Sequence, residues 1–133
     1  MILHGTILVL VLSVLFAYIR DVLPFDTSST QNINKGIQNH AYRLMFPLLV
    51  SPILEELIFR KGLPIAFQEV LGRKGSILLS NVLFSLFHFD VFFLPYLVNG
   101  LIYALYYEKS KDLKVPVSMH ISYNAFVFLV TFF

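Results

Sequence analysis

The sequence predicts an all-α fold, a polytopic transmembrane helix bundle with about five membrane segments. The first observation is composition: hydrophobic residues make up 57% and charged residues 14% of the 133 residues. Soluble domains carry about a quarter charged residues. A chain this small cannot bury so much apolar surface within itself, so much of it should face lipid. The second observation is that the apolar residues fall into five runs separated by short polar stretches.

Length and charge restrict the organisation and the partners. The chain is long enough for one domain and not two, so residues 1–133 should form a single transmembrane domain. Residues 1–40 supply an N-terminal span and loop, and residues 41–133 supply the core. A net charge of +2 does not indicate a nucleic-acid partner. The absence of cysteine excludes disulfides and thiolate metal sites.

The first segment is an apolar run from residue 2 to residue 19, closed by Arg20 and Asp21. Its length suits a span, which needs about 17–25 residues. A cleaved signal peptide is the alternative. The run has no preceding Lys or Arg and no following small-residue cleavage site, which favours a retained span. Residues 20–40 are polar and rich in turn formers, so they should form a loop.

The second segment runs from about residue 41 to residue 63. Two prolines lie inside it, and a glycine and a proline are predicted to end it: Pro47, Pro52, Gly62 and Pro64. Prolines are tolerated in membrane helices where neighbouring helices satisfy the freed backbone groups. A short amphipathic piece then ends at Gly72, with Arg73 and Lys74 forming the turn.

Three further segments are predicted at residues 75–89, 91–107 and 116–133. The first two are shorter than ideal spans, so they form either two crossings or a tight hairpin with a partly re-entrant turn. Asp90 between them should cap the next helix. Three tyrosines near the charged loop should anchor the bundle at the membrane interface: Tyr103, Tyr106 and Tyr107.

Basic residues predict the orientation, because cytoplasmic ends of spans carry an excess of Lys and Arg. One side would hold Lys61, Arg73, Lys74, Lys109, Lys111 and Lys114. The other would hold Arg20, Lys35 and Arg43. The first side should therefore be cytoplasmic, which places the N-terminus inside.

Ionisable side chains at membrane depth are costly and indicate function by default. Within "SPILEELIFRKG", Glu56 and Arg60 are four residues apart on a helix and can pair. Glu55 is turned about 100° away from Glu56 around the axis. We therefore expect a structural Glu56–Arg60 pair and a Glu55 that faces a reaction site. The alternative is that both glutamates lie near a helix end and reach water.

Polar residues also interrupt the third and fifth segments. His88 follows Phe84 by one helical turn, and a lone His on an apolar helix is often a hydrogen-bonded core residue. His120 and Asn124 share a helix face, and interhelical hydrogen bonding is their alternative role. At about 1.5 Å per residue, Glu55 and these three residues lie at similar depths, which predicts one shared site.

The spacing of these residues resembles the CAAX protease and bacteriocin-processing family, also called the Abi family, which includes the type II CAAX prenyl endopeptidases. The order EExxxR, FxxxH, HxxxN is carried by Glu55, Glu56 and Arg60, then Phe84 and His88, then His120 and Asn124. Each motif is weak alone, but three in this order on apolar segments are specific. The resemblance covers about residues 45–130.

The resemblance implies an intramembrane glutamate-dependent endopeptidase that hydrolyses a membrane-associated substrate. A prenylated CAAX peptide, a leader peptide and a membrane-protein segment all stay open as that substrate. Glu55 would activate water with His88 as its partner, and His120 and Asn124 would stabilise the oxyanion. This chemistry is sound without the family, since a carboxylate beside an imidazole can serve as a base. Histidine and amide donors can stabilise an oxyanion in a dry site.

A zinc hydrolase is the competing mechanism, with Glu55, His88 and His120 as the ligand set. The sequence lacks an HExxH helix, and the resemblance favours a mechanism without a metal or other cofactor. The resemblance further implies that Glu56 and Arg60 brace the first motif.

The expected setting is multi-pass in the plasma membrane of a prokaryote, with the lipid bilayer and a peptide or protein substrate as partners. Members of the family usually have more spans. Either an oligomer or a partner chain completes this one, or it is a minimal member. A different functional class stays open: a non-catalytic membrane protein for bacteriocin immunity or partner binding.

Overall fold

A computed structural model describes residues 1–22 and 45–132, with side chains described up to residue 130. Every regular element in these ranges is helical, which confirms the all-α prediction. The helices are α1 (Ile2–Val22), α2 (Ser51–Glu56), α3 (Leu63–Leu86), α4 (Leu94–Ser110) and α5 (Lys114–Phe132). π-Helical turns at Phe46–Val50 and Leu57–Gly62 flank α2. The described residues do not include most of the predicted loop at 20–40 or the start of the second segment. Lys35 and Arg43 therefore lie outside them.

Helix α1 is the membrane-spanning candidate that stands out by length and composition. Its mean hydropathy is 2.4 over an 18-residue window. Among the described residues, no other helix is both long and apolar enough to cross a membrane by itself. Each of the five predicted segments contains helical backbone in the described residues. Gly72 divides α3 into a part that continues the second segment and a part that forms the third.

The core forms where α1 packs against both α4 and α5, while α3 packs against α4. Val9 of α1 and Met119 of α5 are fully buried at its centre. Gly5 lets the helices approach closely, since a Cβ there would lie 2.7 Å from Met119 Sδ and 3.1 Å from Tyr106 Cζ. Helix α1 is therefore an integral part of the bundle.

The prediction that Tyr103 and Tyr106 are interfacial anchors is wrong. Their exposed fractions are 1% and 8%. Helix α1 covers the face of α4 that carries them, and His4 Nδ1 is hydrogen-bonded to the Tyr106 hydroxyl. Tyr107, on the neighbouring face, is partly exposed.

The second segment does not end at Gly62 and Pro64, as the sequence had suggested. Helical backbone continues through both residues into α3 and breaks at Gly72, whose φ of 68° and ψ of 171° are not helical. A positive φ is accessible to glycine because it lacks a Cβ. The predicted turn at Gly72 is thus confirmed, while the earlier end is wrong.

The π-helical register explains how the helix passes Pro64. In this register an N–H donates to the carbonyl five residues back, as Leu63 N–H does to Ile58 O. Phe59 O would need a donor at position 64, where proline has no N–H. The Ser80 hydroxyl of α3 donates to Phe59 O instead. The Ser80 side chain, from the part of α3 after Gly72, thus replaces the lost backbone hydrogen bond.

The same substitution occurs at the start of the segment. Ser51 N–H donates to Phe46 O, again five residues back. Pro47 O would need a donor at Pro52, which has none. The Asn124 side chain of α5 donates to Pro47 O across 3.0 Å. Two prolines thereby create two acceptors that attach residues 46–62 to α3 and α5.

The third segment ends three residues earlier than predicted, at Leu86. Phe89 has a φ of 51°, so the chain has already left the helix at that point. His88 Nδ1 is 2.9 Å from Phe84 O and bonds one of the last carbonyls of the helix. His88 therefore lies in the connection between α3 and α4.

Asp90 does not cap α4, although the sequence suggested that it would. Its Oδ1 accepts the Phe92 N–H at 2.9 Å, before the helix begins. Phe93 occupies the N-cap position without a side-chain hydrogen bond. Asp90 instead shapes the turn that leads into α4, beside His88.

Candidate active site

Glu56 and Arg60 form the pair that their spacing predicts. Arg60 Nε donates to Glu56 Oε2 across 2.7 Å, and the two side chains are 1% and 0% exposed. The alternative in which both glutamates reach water therefore fails for Glu56. An unpaired charge in this position would be strongly destabilising, so each residue requires the other.

Arg60 extends the pair to α3. Its Nη1 donates to Asn81 Oδ1 at 2.9 Å, and Asn81 Nδ2 donates to Ile77 O at 2.8 Å. Asn81 is fully buried. Sequence reasoning missed it, although a signal existed: Asn81 precedes His88 by seven residues, two helical turns on the same face.

Glu56 also binds His120, which the sequence analysis did not foresee. His120 Nδ1 is 2.9 Å from Glu56 Oε1. An ionised carboxylate only accepts hydrogen bonds, so Nδ1 is the donor and carries a proton. The other ring nitrogen, Nε2, then faces Glu55 Oε2 at 3.9 Å. Glu56 thus orients His120 toward Glu55.

Glu55 has one oxygen engaged and one free. The Ser51 hydroxyl, one turn earlier, donates to Oε1. Oε2 is buried and makes no hydrogen bond to the described residues. A buried polar atom without a partner requires an explanation, and a role in chemistry is one. The free oxygen is the one that faces His120.

His88 reaches the same site from the α3–α4 connection. Its Nδ1 donates to Phe84 O, because a carbonyl only accepts. Nε2 is therefore the ring atom left as an acceptor. The ring stacks on Tyr96 with centroids 4.1 Å apart. The Phe84 ring that His88 contacts also contacts His120.

Phe84 separates the two imidazoles. The centre of its ring lies 4.9 Å from the ring centre of His88 and 6.0 Å from that of His120, with edge-on geometry in both cases. Arg60 lies 4.8 Å from the ring centre, within range of a cation–π contact. Gly100 of α4 makes room, since a Cβ there would lie 2.9 Å from Phe84 Cδ1.

Asn124 lies one turn beyond His120 on the same helix face, as predicted, and its amide donates to Pro47 O. An amide nitrogen carries two hydrogens, so one N–H is left for another acceptor. The structure thus brings Glu55 within 3.9 Å of His120, places His88 and His120 against the same Phe84 ring, and ties Asn124 to the adjoining proline turn.

The described residues contain no group of three or more His, Asp or Glu side chains that could hold a metal ion. The conditional ligand set of Glu55, His88 and His120 does not form such a group in this geometry. Glu56 further occupies His120 Nδ1. What the arrangement offers is a carboxylate oxygen beside an oriented imidazole, which suits general base catalysis.

Comparison with known proteins agrees with the motifs. The model of the type II CAAX prenyl endopeptidase Rce1-like family matches residues 37–126. "Putative membrane peptidase YdiL" of Bacillus subtilis is 33% identical over 106 residues, which are 79% of this chain and 43% of that protein. "Membrane-embedded CAAX protease MroQ" of Staphylococcus aureus is 34% identical over 94 residues, 63% of this chain and 37% of that protein.

The matched region includes all three motifs, from Glu55 to Asn124. The chain spans about two fifths of the length of these curated relatives. No solved structure matches it significantly. The apolar helix α1 and these relatives identify a membrane protein, and the predicted family is confirmed. The chain belongs to the type II CAAX prenyl endopeptidase Rce1-like family.

Proposed function

We propose that the chain carries the active site of an intramembrane endopeptidase in which Glu55 is the general base. One observation carries the proposal: Glu55 Oε2 is buried, lacks a hydrogen bond within the described residues and faces His120 Nε2 at 3.9 Å. A base must have a free oxygen in its reactive position, and Ser51 occupies only the other one. Family membership supports the reaction class.

In the proposed reaction Glu55 takes a proton from water, and the resulting hydroxide attacks the scissile carbonyl. His88, with Nε2 as an acceptor, helps to hold that water. The carbonyl oxygen becomes an oxyanion, and the leaving amine takes the proton as the carbon–nitrogen bond breaks. Nothing in this sequence of steps requires a cofactor.

His120 and Asn124 would bind the oxyanion. Glu56 holds His120 by Nδ1, which leaves Nε2 as the ring atom that would face the oxyanion. Asn124 contributes the N–H that is not used by Pro47. Donors fixed in advance act strongly in a site that excludes water.

The proposed substrate is a membrane-associated peptide, either prenylated at a CAAX sequence or carrying a leader. The name of the Staphylococcus aureus relative, a membrane-embedded CAAX protease, supports the first class. An apolar anchor would bring the scissile bond to a site built between helices.

We further propose five membrane segments in the plasma membrane of a prokaryote, with the N-terminus in the cytoplasm. Arg73, after the Gly72 turn, bonds Glu108 at the end of α4, and Lys111 bonds the same carboxylate at 2.7 Å. Both basic turns therefore lie at one end of the bundle. Their charge favours the cytoplasmic side.

The test is Glu55→Gln in the purified full chain, assayed on a cleaved peptide. Glutamine keeps the shape but cannot take the proton, so turnover should fall by roughly 10²–10⁴. Glu69→Gln, at an exposed carboxylate of α3, is the matched control and should cleave like the parent. Turnover near the parent level in Glu55→Gln would refute the assignment of the base. A non-catalytic role predicts instead that the parent itself does not cleave the peptide.

A further inference from the structure

A second aromatic ring meets His120 face-on. Tyr103 of α4 stacks on the imidazole with centroids 4.9 Å apart and planes 21° apart. Phe84 meets the same imidazole edge-on, at 6.0 Å and 74°. Tyr103 is 1% exposed, so its ring cannot move without repacking the core.

The hydrogen bond to Glu56 cannot hold the imidazole by itself. It fixes the direction of Nδ1 but leaves the ring free to rock about the line from Nδ1 to Glu56 Oε1. The torsion that turns a histidine ring has broad minima. Rocking would swing Nε2 away from Glu55, whereas a ring packed flat against the imidazole prevents that motion.

The hydroxyl of Tyr103 does not contribute to this contact. It is buried and has no hydrogen-bond partner in the described part of the chain. The aromatic ring is therefore what the site uses. The ring belongs to the buried cluster that contains Val9, Ile102 and Met119, which holds it in place.

We propose that Tyr103 is a positioning residue for His120, acting through its ring to set the plane of the imidazole. The inference rests on the proposed function for its consequence in catalysis. Glu56 fixes one edge of His120 and Tyr103 fixes one face, and together they aim Nε2 at Glu55.

Kinetics of two full-length variants in detergent separate ring from hydroxyl. Tyr103→Phe keeps the ring, so its kcat should stay within about twofold of the parent. Tyr103→Leu removes the ring, and kcat should fall about tenfold or more with little change in KM, because small misplacements cost up to about 10²-fold. Equal losses in both variants, or none in Tyr103→Leu, would overturn the proposal.

A second readout does not depend on turnover. With ¹⁵N-labelled histidine, the His120 signal, assigned by its loss in His120→Gln, should show one tautomer with Nδ1 protonated in the parent and in Tyr103→Phe. In Tyr103→Leu and in Tyr103→Met, a second ring-free variant, the tautomer should persist because Glu56 still accepts from Nδ1, but the His120 Nε2 signal should broaden as the ring rocks. Tyr107→Leu, on the neighbouring face of α4, is the control and should match the parent.

The two proposals fail differently. An inactive parent that shows this His120 pattern would refute the protease and leave the positioning role standing. An active parent whose His120 Nε2 signal stays equally sharp in both ring-free variants would refute the positioning role. Thermal melts of every variant identify any that unfold, and Tyr103→Phe should melt like the parent because its lost hydroxyl has no partner.

Discussion

Glu56 Oε1 accepts a hydrogen bond from His120 Nδ1 at 2.9 Å, across 64 residues of sequence. Its other oxygen, Oε2, accepts from Arg60. One buried carboxylate therefore joins α2 to α5 and connects an arginine to an imidazole. Substitution of Arg60 should consequently disturb the position of His120, because both side chains bond the same carboxylate.

Arg60→Ala should destabilise the protein and abolish activity. The change leaves a fully buried Glu56 without its cation, which typically costs about 3–5 kcal/mol. Thermal melting in detergent should show a clear loss relative to the parent. Lys61→Ala, at the exposed neighbour, is the control. An Arg60→Ala melt equal to the control would mean that the pair is not buried in the folded protein.

Ser51→Ala should lower kcat by about tenfold while leaving the fold intact. The serine hydroxyl holds Glu55 Oε1, and a hydrogen bond to a charged group is worth about 1.5–3 kcal/mol. Without it the carboxylate can turn, and its free oxygen no longer faces His120. Ser51→Thr retains a hydroxyl and should restore most of the rate. A threonine variant as slow as the alanine variant would contradict this role.

Gly100→Ala should destabilise the bundle by about 1–3 kcal/mol, a usual cost of overpacking. The added methyl would lie 2.8 Å from Asn81 Oδ1 and 2.9 Å from Phe84 Cδ1, so it disturbs the contacts of Arg60 as well. Gly62→Ala is the control, because its Cβ would meet no atom closer than 3.7 Å. Denaturant titration in detergent measures the free energy of unfolding of both variants. Equal stability of the two variants would show that α3 and α4 are farther apart.

Asn124 and Pro52 should be energetically coupled. In the parent, Asn124→Ala leaves Pro47 O without its side-chain donor, at a cost of about 1–3 kcal/mol. Pro52→Ala supplies an N–H that can bond Pro47 O in the π-helical register. A double-mutant cycle should therefore show a smaller cost of Asn124→Ala in the Pro52→Ala background. Additive effects would mean that the asparagine does not replace a missing backbone donor.

Orientation can be tested with single cysteines, since the chain has none. With a membrane-impermeant thiol reagent on intact cells, Ser110→Cys should stay unlabelled and Ser29→Cys should react. Ser29 lies outside the described residues, whereas Ser110 ends α4 beside the basic turn. The reason is the excess of Lys and Arg on the Ser110 side. The reverse labelling would place the basic turns on the extracytoplasmic side and refute the proposed orientation.

Much of the fold could be predicted because its signals are local. Apolar runs predicted the helices, and four-residue spacing predicted the Glu56–Arg60 pair. Gly72 predicted the turn. Where local signals competed, the prediction failed: Gly62 and Pro64 did not end their helix, because Ser80 of α3 supplies the missing donor. Whether a proline ends a helix thus depends on the residues packed against it.

By itself, the sequence determined the family, the helical class and which polar residues enter the apolar segments, since each depends on composition and short-range spacing. Tertiary structure alone decided that Glu56 binds His120 and that Asn81 bonds Arg60. It also decided that Tyr103 is buried against His120 and does not lie at the membrane interface. The physical reason is that such contacts depend on the relative rotation and depth of separate helices. Close packing sets those quantities, and the spacing of residues along one helix does not contain them.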